Sequence, residues 1–86
     1  MLIKLILAEV LIEEFFHDDP TYLSKKLHEA SQLYLEIENS EKRKWLLEHG
    51  AKLEYGEIID NDKSTKRMIY YAIVEESIAI MYNLLF

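Results

Sequence analysis

At 86 residues with a formal net charge of −6 and no cysteine, the chain is one domain near the lower limit of what folds alone. Disulfides, thiol catalysis and thiolate metal sites are excluded, and an acidic balance opposes phosphate-backbone binding, which depends on clustered Lys and Arg. Half of the residues are hydrophobic, more than so thin an interior hides, so part of the apolar surface is expected to face a partner or a second copy.

The opening MLIKLILAEVLIEE has one lysine and then an apolar run that Glu9 interrupts after four residues. A secretory signal needs a longer apolar stretch with a small-residue cleavage site, and a membrane span needs about 20 apolar residues. Neither pattern is present, and the expected location is the cytoplasm. Residues 2–17 are apolar on nearly every side, with Glu9 and Glu13 as a narrow stripe at i, i+4. The run is too long for one typical strand, so a broadly buried helix is expected. A buried strand, suggested by Ile3, Ile6, Val10 and Ile12, is the alternative.

Asp18-Asp19-Pro20 reads as a stop followed by a start, with Asp19 a suitable N-cap and Pro20 in the first turn. A second helix is expected over 20–38, where Leu23, Leu27, Ala30, Tyr34 and Ile37 are spaced 4, 3, 4, 3 along one face. Asn39-Ser40 breaks and re-caps the chain, and a third helix over 41–49 ends near Gly50. Residues 51–62 are ambiguous. Asp62 or Ser64 could cap a last helix of about 20 residues running through Glu75-Glu76. Alternatively, Leu53–Ile59 could pair as a strand with part of 65–74 across Asn61-Asp62, since TKRMIYYAIV tolerates a strand. The preferred fold is an all-α single domain over 1–86, a compact bundle of three or four helices completed by homodimerisation. An α+β fold with a hairpin around 53–74 is second.

EEFFHDDP concentrates possible metal ligands. Glu14 and His17 at i, i+3 form one half of the Glu-x-x-His pattern of carboxylate-bridged metal sites. No second half exists, because Lys25 and Leu46 stand three residues before His28 and His49. The stretch reads better as helix-end punctuation, and no metal or other cofactor is expected. His28 reads as a surface histidine. The cluster Lys42-Arg43-Lys44-Trp45, extended by Lys63, Lys66 and Arg67, could grip nucleic acid. Solvated bases beside a core-anchored Trp45 are the simpler interpretation. No serine lies in a Gly-rich elbow, and there is no phosphate-cradling loop. Glu75-Glu76 with Glu29 suggests the magnesium motifs of helical nucleotide pyrophosphohydrolases, but Gln32 and Ala79 stand where those motifs need carboxylates. Enzyme activity is not expected.

What remains is a surface. Six tyrosines, at 22, 34, 55, 70, 71 and 82, are many for this length, and tyrosine is enriched at interfaces. The expected function is a small acidic protein-binding module. Its composition is of the kind found among phage and mobile-element inhibitors that present carboxylates to a basic, nucleic-acid-binding surface of a target protein. The expected partner face is Glu54, Tyr55, Glu57, Asp60, Asp62 and Tyr70. A homodimer interface is expected from Leu2, Ile6, Phe15, Ile80, Leu84 and Phe86. A helical DNA- or RNA-binding regulator using Lys42–Trp45 and Lys63–Arg67 ranks second, and a metal-binding protein using Glu14 and His17 third.

Overall fold

The protein is described by a computed structural model covering residues 1–13 and 20–86. It overturns the expected helical bundle. Three strands, β1 (Leu2–Glu13), β2 (Lys52–Asp60) and β3 (Thr65–Glu75), form one sheet, with helices α1 (Tyr22–Glu38), α2 (Glu41–Glu48) and α3 (Glu76–Leu85). The sheet order is β1-β3-β2, and β3 runs antiparallel to both neighbours. The chain therefore passes over β3, through α1 and α2, between its first and second strands.

The expected first helix is strand β1. Its Glu9 and Glu13 mimic a helical polar stripe, and its apolar residues lie on both faces of a pleat. A β-bulge between Ile6 and Ala8 also breaks the period of two by which a strand announces itself. The expected long last helix is correct only for its second half, Glu76–Leu85. Its first half is β3, where Met68–Val74 fills both faces of a central strand and so shows no alternation. The pairing with β2 occupies the ground given second place in the sequence.

Register fixes the two faces. Ala72, Val74 and Tyr70 of β3 point with Ile3, Leu5, Val10 and Ile12 of β1 and with Leu53 and Tyr55 of β2. All three helices pack on this inner face. Leu46, Ala72, Val74 and Ala79 form a buried cluster at one end, ringed by Ile3, Leu5, Leu7, Trp45, Ala51, Leu53, Ile78 and Tyr82. Leu46, wholly buried, is the one large side chain that α2 sends into that cluster. At the other end, α1 carries buried Ala30 and lays half-buried Tyr34 against Tyr70. No polar or charged residue is buried among the described residues.

Helices α1 and α2 lie where the sequence places them. Ser40 is the N-cap of α2, its hydroxyl accepting from the Arg43 amide at 3.3 Å. Gly50 follows α2 at φ +82°, the left-handed conformation that glycine adopts without a Cβ clash. The expected Asp19 cap lies outside the described residues; Thr21 stands at the N-cap of α1 and makes no side-chain cap bond.

The outer face consists of Leu2, Lys4, Ile6, Glu9 and Leu11 of β1, Arg67, Ile69, Tyr71 and Ile73 of β3, and Lys52, Glu54, Gly56, Ile58 and Asp60 of β2. No described helix lies on it. An antiparallel sheet with one solvated face normally alternates apolar-in and polar-out. This one keeps apolar residues on both faces.

Candidate functional site

Two side-chain groups stand out, one on each face of the hairpin. On the inner face, Tyr55 and Tyr70 are directly opposed across β2 and β3 and stack with ring centroids 4.8 Å apart. Helix α1 lays Tyr34 over both, at 5.1 Å from Tyr55 and 5.5 Å from Tyr70. Tyr70 is buried and forms the floor, while Tyr55 is half exposed at the rim. The Tyr55 hydroxyl donates to the Glu38 carboxylate at the end of α1. That bond and, less strongly, burial push the Tyr55 phenol up to about 12. Burial alone raises Tyr34. A phenol so held stays protonated at neutral pH and acts as a donor and contact surface, not as a base. Open clefts lie on either side, one lined by Tyr34, Tyr55, Gly56, Glu57 and Met68, the other by residues of α1 and Tyr55.

On the outer face, the Tyr71 ring lies across Gly56, where an added Cβ would meet Tyr71 Cε1 at 3.0 Å. Lys4 Nζ sits 4.5 Å from the centre of the same ring. The Tyr71 hydroxyl donates to Glu54 at 2.8 Å, and Lys52 pairs with Glu54 at 3.0 Å. The bond from Lys52, then that from Tyr71, lowers the Glu54 carboxyl; Glu54 in turn raises Lys52 and Tyr71. This row ties all three strands together.

The expected partner residues do not share one surface. Glu54 and Asp60 lie on the outer face, and Tyr55, Glu57 and Tyr70 on the inner one. Glu57 is paired with Lys66 at 2.9 Å. The Asp60 carboxylate accepts from the amides of Asp62 and Lys63 at 3.1 and 3.2 Å, which shapes the turn into β3. Asp62 is exposed in that turn. Tyr70 has 3% of its surface accessible and presents nothing to a partner.

The expected dimer residues separate likewise. Leu2 and Ile6 are exposed on the outer face of β1, whereas Ile80, Leu84 and Phe86 belong to the helical layer. Phe86 packs edge-on against Trp45 at 6.1 Å and tilts against Tyr82 at 5.2 Å. Phe15 lies outside the described residues, as do Glu14 and His17. Among the described residues no group of three or more His, Asp or Glu side chains could hold a metal ion.

The two basic groups also come apart. Helix α2 carries Lys42, Arg43 and Lys44 at the Ala72–Val74 end of the sheet, with Trp45 stacked on His49 at 3.9 Å. Lys63 in the turn and Lys66 and Arg67 of β3 lie at the other end of the sheet, some seven residues or about 20 Å along the strand. Lys66 is already spent on Glu57.

The tyrosine cluster was not anticipated as a unit, though a signal existed. A hairpin centred between Asp62 and Lys63 sets Tyr55 against Tyr70; centring it between Asn61 and Asp62 sets Tyr55 against Met68. The faces are the same in both cases, and only the turn length decides the pair.

The fold and these sites define a small two-layer α+β domain whose described side chains form aromatic and apolar contact surfaces. No protein family, curated protein or solved structure matches the chain. No described helix is long and apolar enough to cross a membrane.

Proposed function

We propose that this chain is a non-catalytic protein-binding module whose partner seats on the outward side of α3. The observation that carries this reading is the make-up of that helix, ESIAIMYNLL. Ile78, Ala79 and Tyr82 pack on the sheet, yet Ile80, Met81, Leu84 and Leu85 remain 56%, 43%, 82% and 59% exposed on its other sides. A helix apolar all round is stable in water only when covered all round. An amphipathic groove on a partner protein covers such a side. The net charge of −6 supports a basic surround to that groove, because it steers encounter with cationic surfaces. Inhibition of a nucleic-acid-binding target by a phage or mobile-element protein remains compatible with this chemistry. The nucleic-acid reading is weakened, because its two basic groups stand at opposite ends of the sheet.

A photo-crosslinking amino acid at position 84, compared with one at exposed Lys25 on α1, tests the proposal in lysate of the host cell. The expected result is one discrete adduct from position 84 and none from position 25. Leu84→Asp is expected to abolish co-purification of the same species while leaving the circular dichroism unchanged. Undiminished co-purification by Leu84→Asp would refute α3 as the binding surface. Reversing Glu36, Glu48 and Asp62, exposed acids that make no ion pair among the described residues, to Lys is expected to slow association more than it lowers the melting temperature. A rate indifferent to salt and to these reversals would remove the electrostatic part of the proposal.

A further inference from the structure

We infer that two copies of this chain pair antiparallel through the free edge of β1, forming one continuous six-stranded sheet with a two-fold axis between Ile6 and Leu7. The inference is independent of the α3 reading, which concerns a different part of the molecule.

Strand β1 is an edge strand by position and a central strand by composition. Nine of its twelve residues are apolar, and they occupy both faces: Ile3, Leu5, Leu7, Ala8, Val10 and Ile12 on the inner side, Leu2, Ile6 and Leu11 on the outer. Strands of this make-up belong in sheet interiors, flanked on both sides. An edge of this length without charges at close intervals is a template for another strand. Among the described residues its backbone makes two bonds beyond the ladder with β3. The Met1 carbonyl accepts from the Glu76 amide, and the Glu13 amide donates to the Tyr22 hydroxyl at 3.0 Å. Both ends are thus tied off, and residues 2–11 are left open.

The charges choose the occupant and the register. Lys4 and Glu9 are five residues apart, an odd spacing that in a regular strand would put them on opposite faces. The bulge at Leu7 brings both to the outer face, opposite Ile73 and Ile69 of β3. Across a two-fold axis normal to the sheet, faces are conserved from one copy to the other. Antiparallel pairing centred between residues 6 and 7 therefore sets Lys4 of each copy against Glu9 of the other, Leu2 against Leu11, Ile3 against Val10 and Leu5 against Ala8. Every one of these pairs joins residues of the same face. Two reciprocal ion pairs form, and Glu9 gains the cationic partner that it lacks among the described residues. Leu2 and Leu11, now 63% and 41% exposed, cover one another. Eight paired residues of each copy supply about eight inter-strand hydrogen bonds, and the axis passes through the bulge, where Ile6 and Leu7 take opposite faces. The other edge offers a poorer case: on β2, Lys52, Glu54 and Glu57 are engaged within the chain and Asp60 is committed to the turn.

Equilibrium sedimentation at micromolar concentration reads the result. The unmodified chain is expected to be a dimer. Lys4→Glu and Glu9→Lys singly each set like charges opposite one another at two places, and each is expected to weaken the dimer roughly tenfold or more. The double reversal K4E/E9K restores opposite charges and is expected to recover most of the lost affinity. Leu84→Asp is expected to leave the dimer intact, which separates this inference from the α3 proposal. Hydrogen exchange of the unmodified chain supplies a test free of substitutions: amides throughout 2–11 are expected to be slow at high concentration, with alternate ones becoming fast on dilution. A monomer at micromolar concentration overturns the inference. So does a dimer whose affinity the single reversals leave unchanged, or one that the double reversal fails to rescue.

Discussion

Strands β1 and β2 form the two edges of one sheet, and they are built from different material. Along β2 a charge or a glycine recurs at nearly every second residue, in Lys52, Glu54, Gly56, Glu57 and Asp60. Along β1 the charges are Lys4, Glu9 and Glu13, and the runs between them are wholly apolar. The first pattern is how natural sheets discourage further strands, and the second is how sheet centres are written. Position in the monomer and composition agree for β2 and disagree for β1. The difference teaches that an edge can be read for what it expects beside it, even when nothing is there to be seen.

The largest effect is expected from placing the same charge on the inner face of each edge strand. Val10 of β1 has 2% of its surface accessible, and Val10→Asp would bury an unpaired carboxylate at a cost of at least about 3 kcal/mol. Ile59 of β2 is 61% exposed, and Ile59→Asp should change stability by less than about 0.5 kcal/mol. Urea denaturation of both variants measures the contrast, and similar losses would mean that the two edges are equally buried.

A smaller effect is expected where β2 depends on its neighbour. Gly56→Ala would press a methyl group onto Tyr71, which Glu54 and Lys4 hold from either side. The ring must shift, for a cost of about 1 kcal/mol, and Tyr71→Ala should make the same alanine harmless. Smaller again is the hairpin turn. Ser64 has φ +51°, in the left-handed region, so Ser64→Gly should stabilise the fold by about 0.5 kcal/mol after the entropy cost of glycine.

The smallest effect is a pH dependence at the exposed rim of β2. Tyr55 has its folded pKa raised to about 12 from 10.0, chiefly by the bond to Glu38. The folded chain therefore holds this proton more tightly than the unfolded one. The associated stability is complete below pH 10.0 and falls as pH climbs from there toward about 12. Ultraviolet titration of tyrosinate should show one phenol ionising last, and Tyr55→Phe should remove that step and the associated slope.

Legibility in the sequence followed the same division. Helix α1 was readable from the spacing of Leu23, Leu27, Ala30, Tyr34 and Ile37, and α2 from Ser40 and Gly50 at its ends. The two strands with apolar residues on both faces were not. Neither β1 nor the middle of β3 shows an alternation, and the Glu9/Glu13 spacing imitates a helix. The candidate sites were legible as residue types and not as constellations. Tyr55 was named, but its stacking with Tyr34 and Tyr70 depends on a four-residue turn, Asn61–Ser64, that composition does not dictate. The acids Glu54 and Glu57 were named as free for a partner. Their engagement by Lys52 and Lys66 depends on which residues share a face across the hairpin.

The bulge at Leu7 also governs how β1 tolerates changes of length. Residues 2–6 and 8–13 follow registers with β3 that differ by one residue, and Leu7 absorbs the difference. Deleting Leu7 would join the two registers into an unbroken ladder, with every remaining side chain still on its present face. Deleting a residue further from the bulge, such as Ile3 or Leu11, would turn over the segment between it and Leu7, sending Lys4 or Glu9 inward and a core residue out. Insertions and deletions in this strand therefore have one permissive address, and variants of the domain that differ in length there are expected to differ at that address.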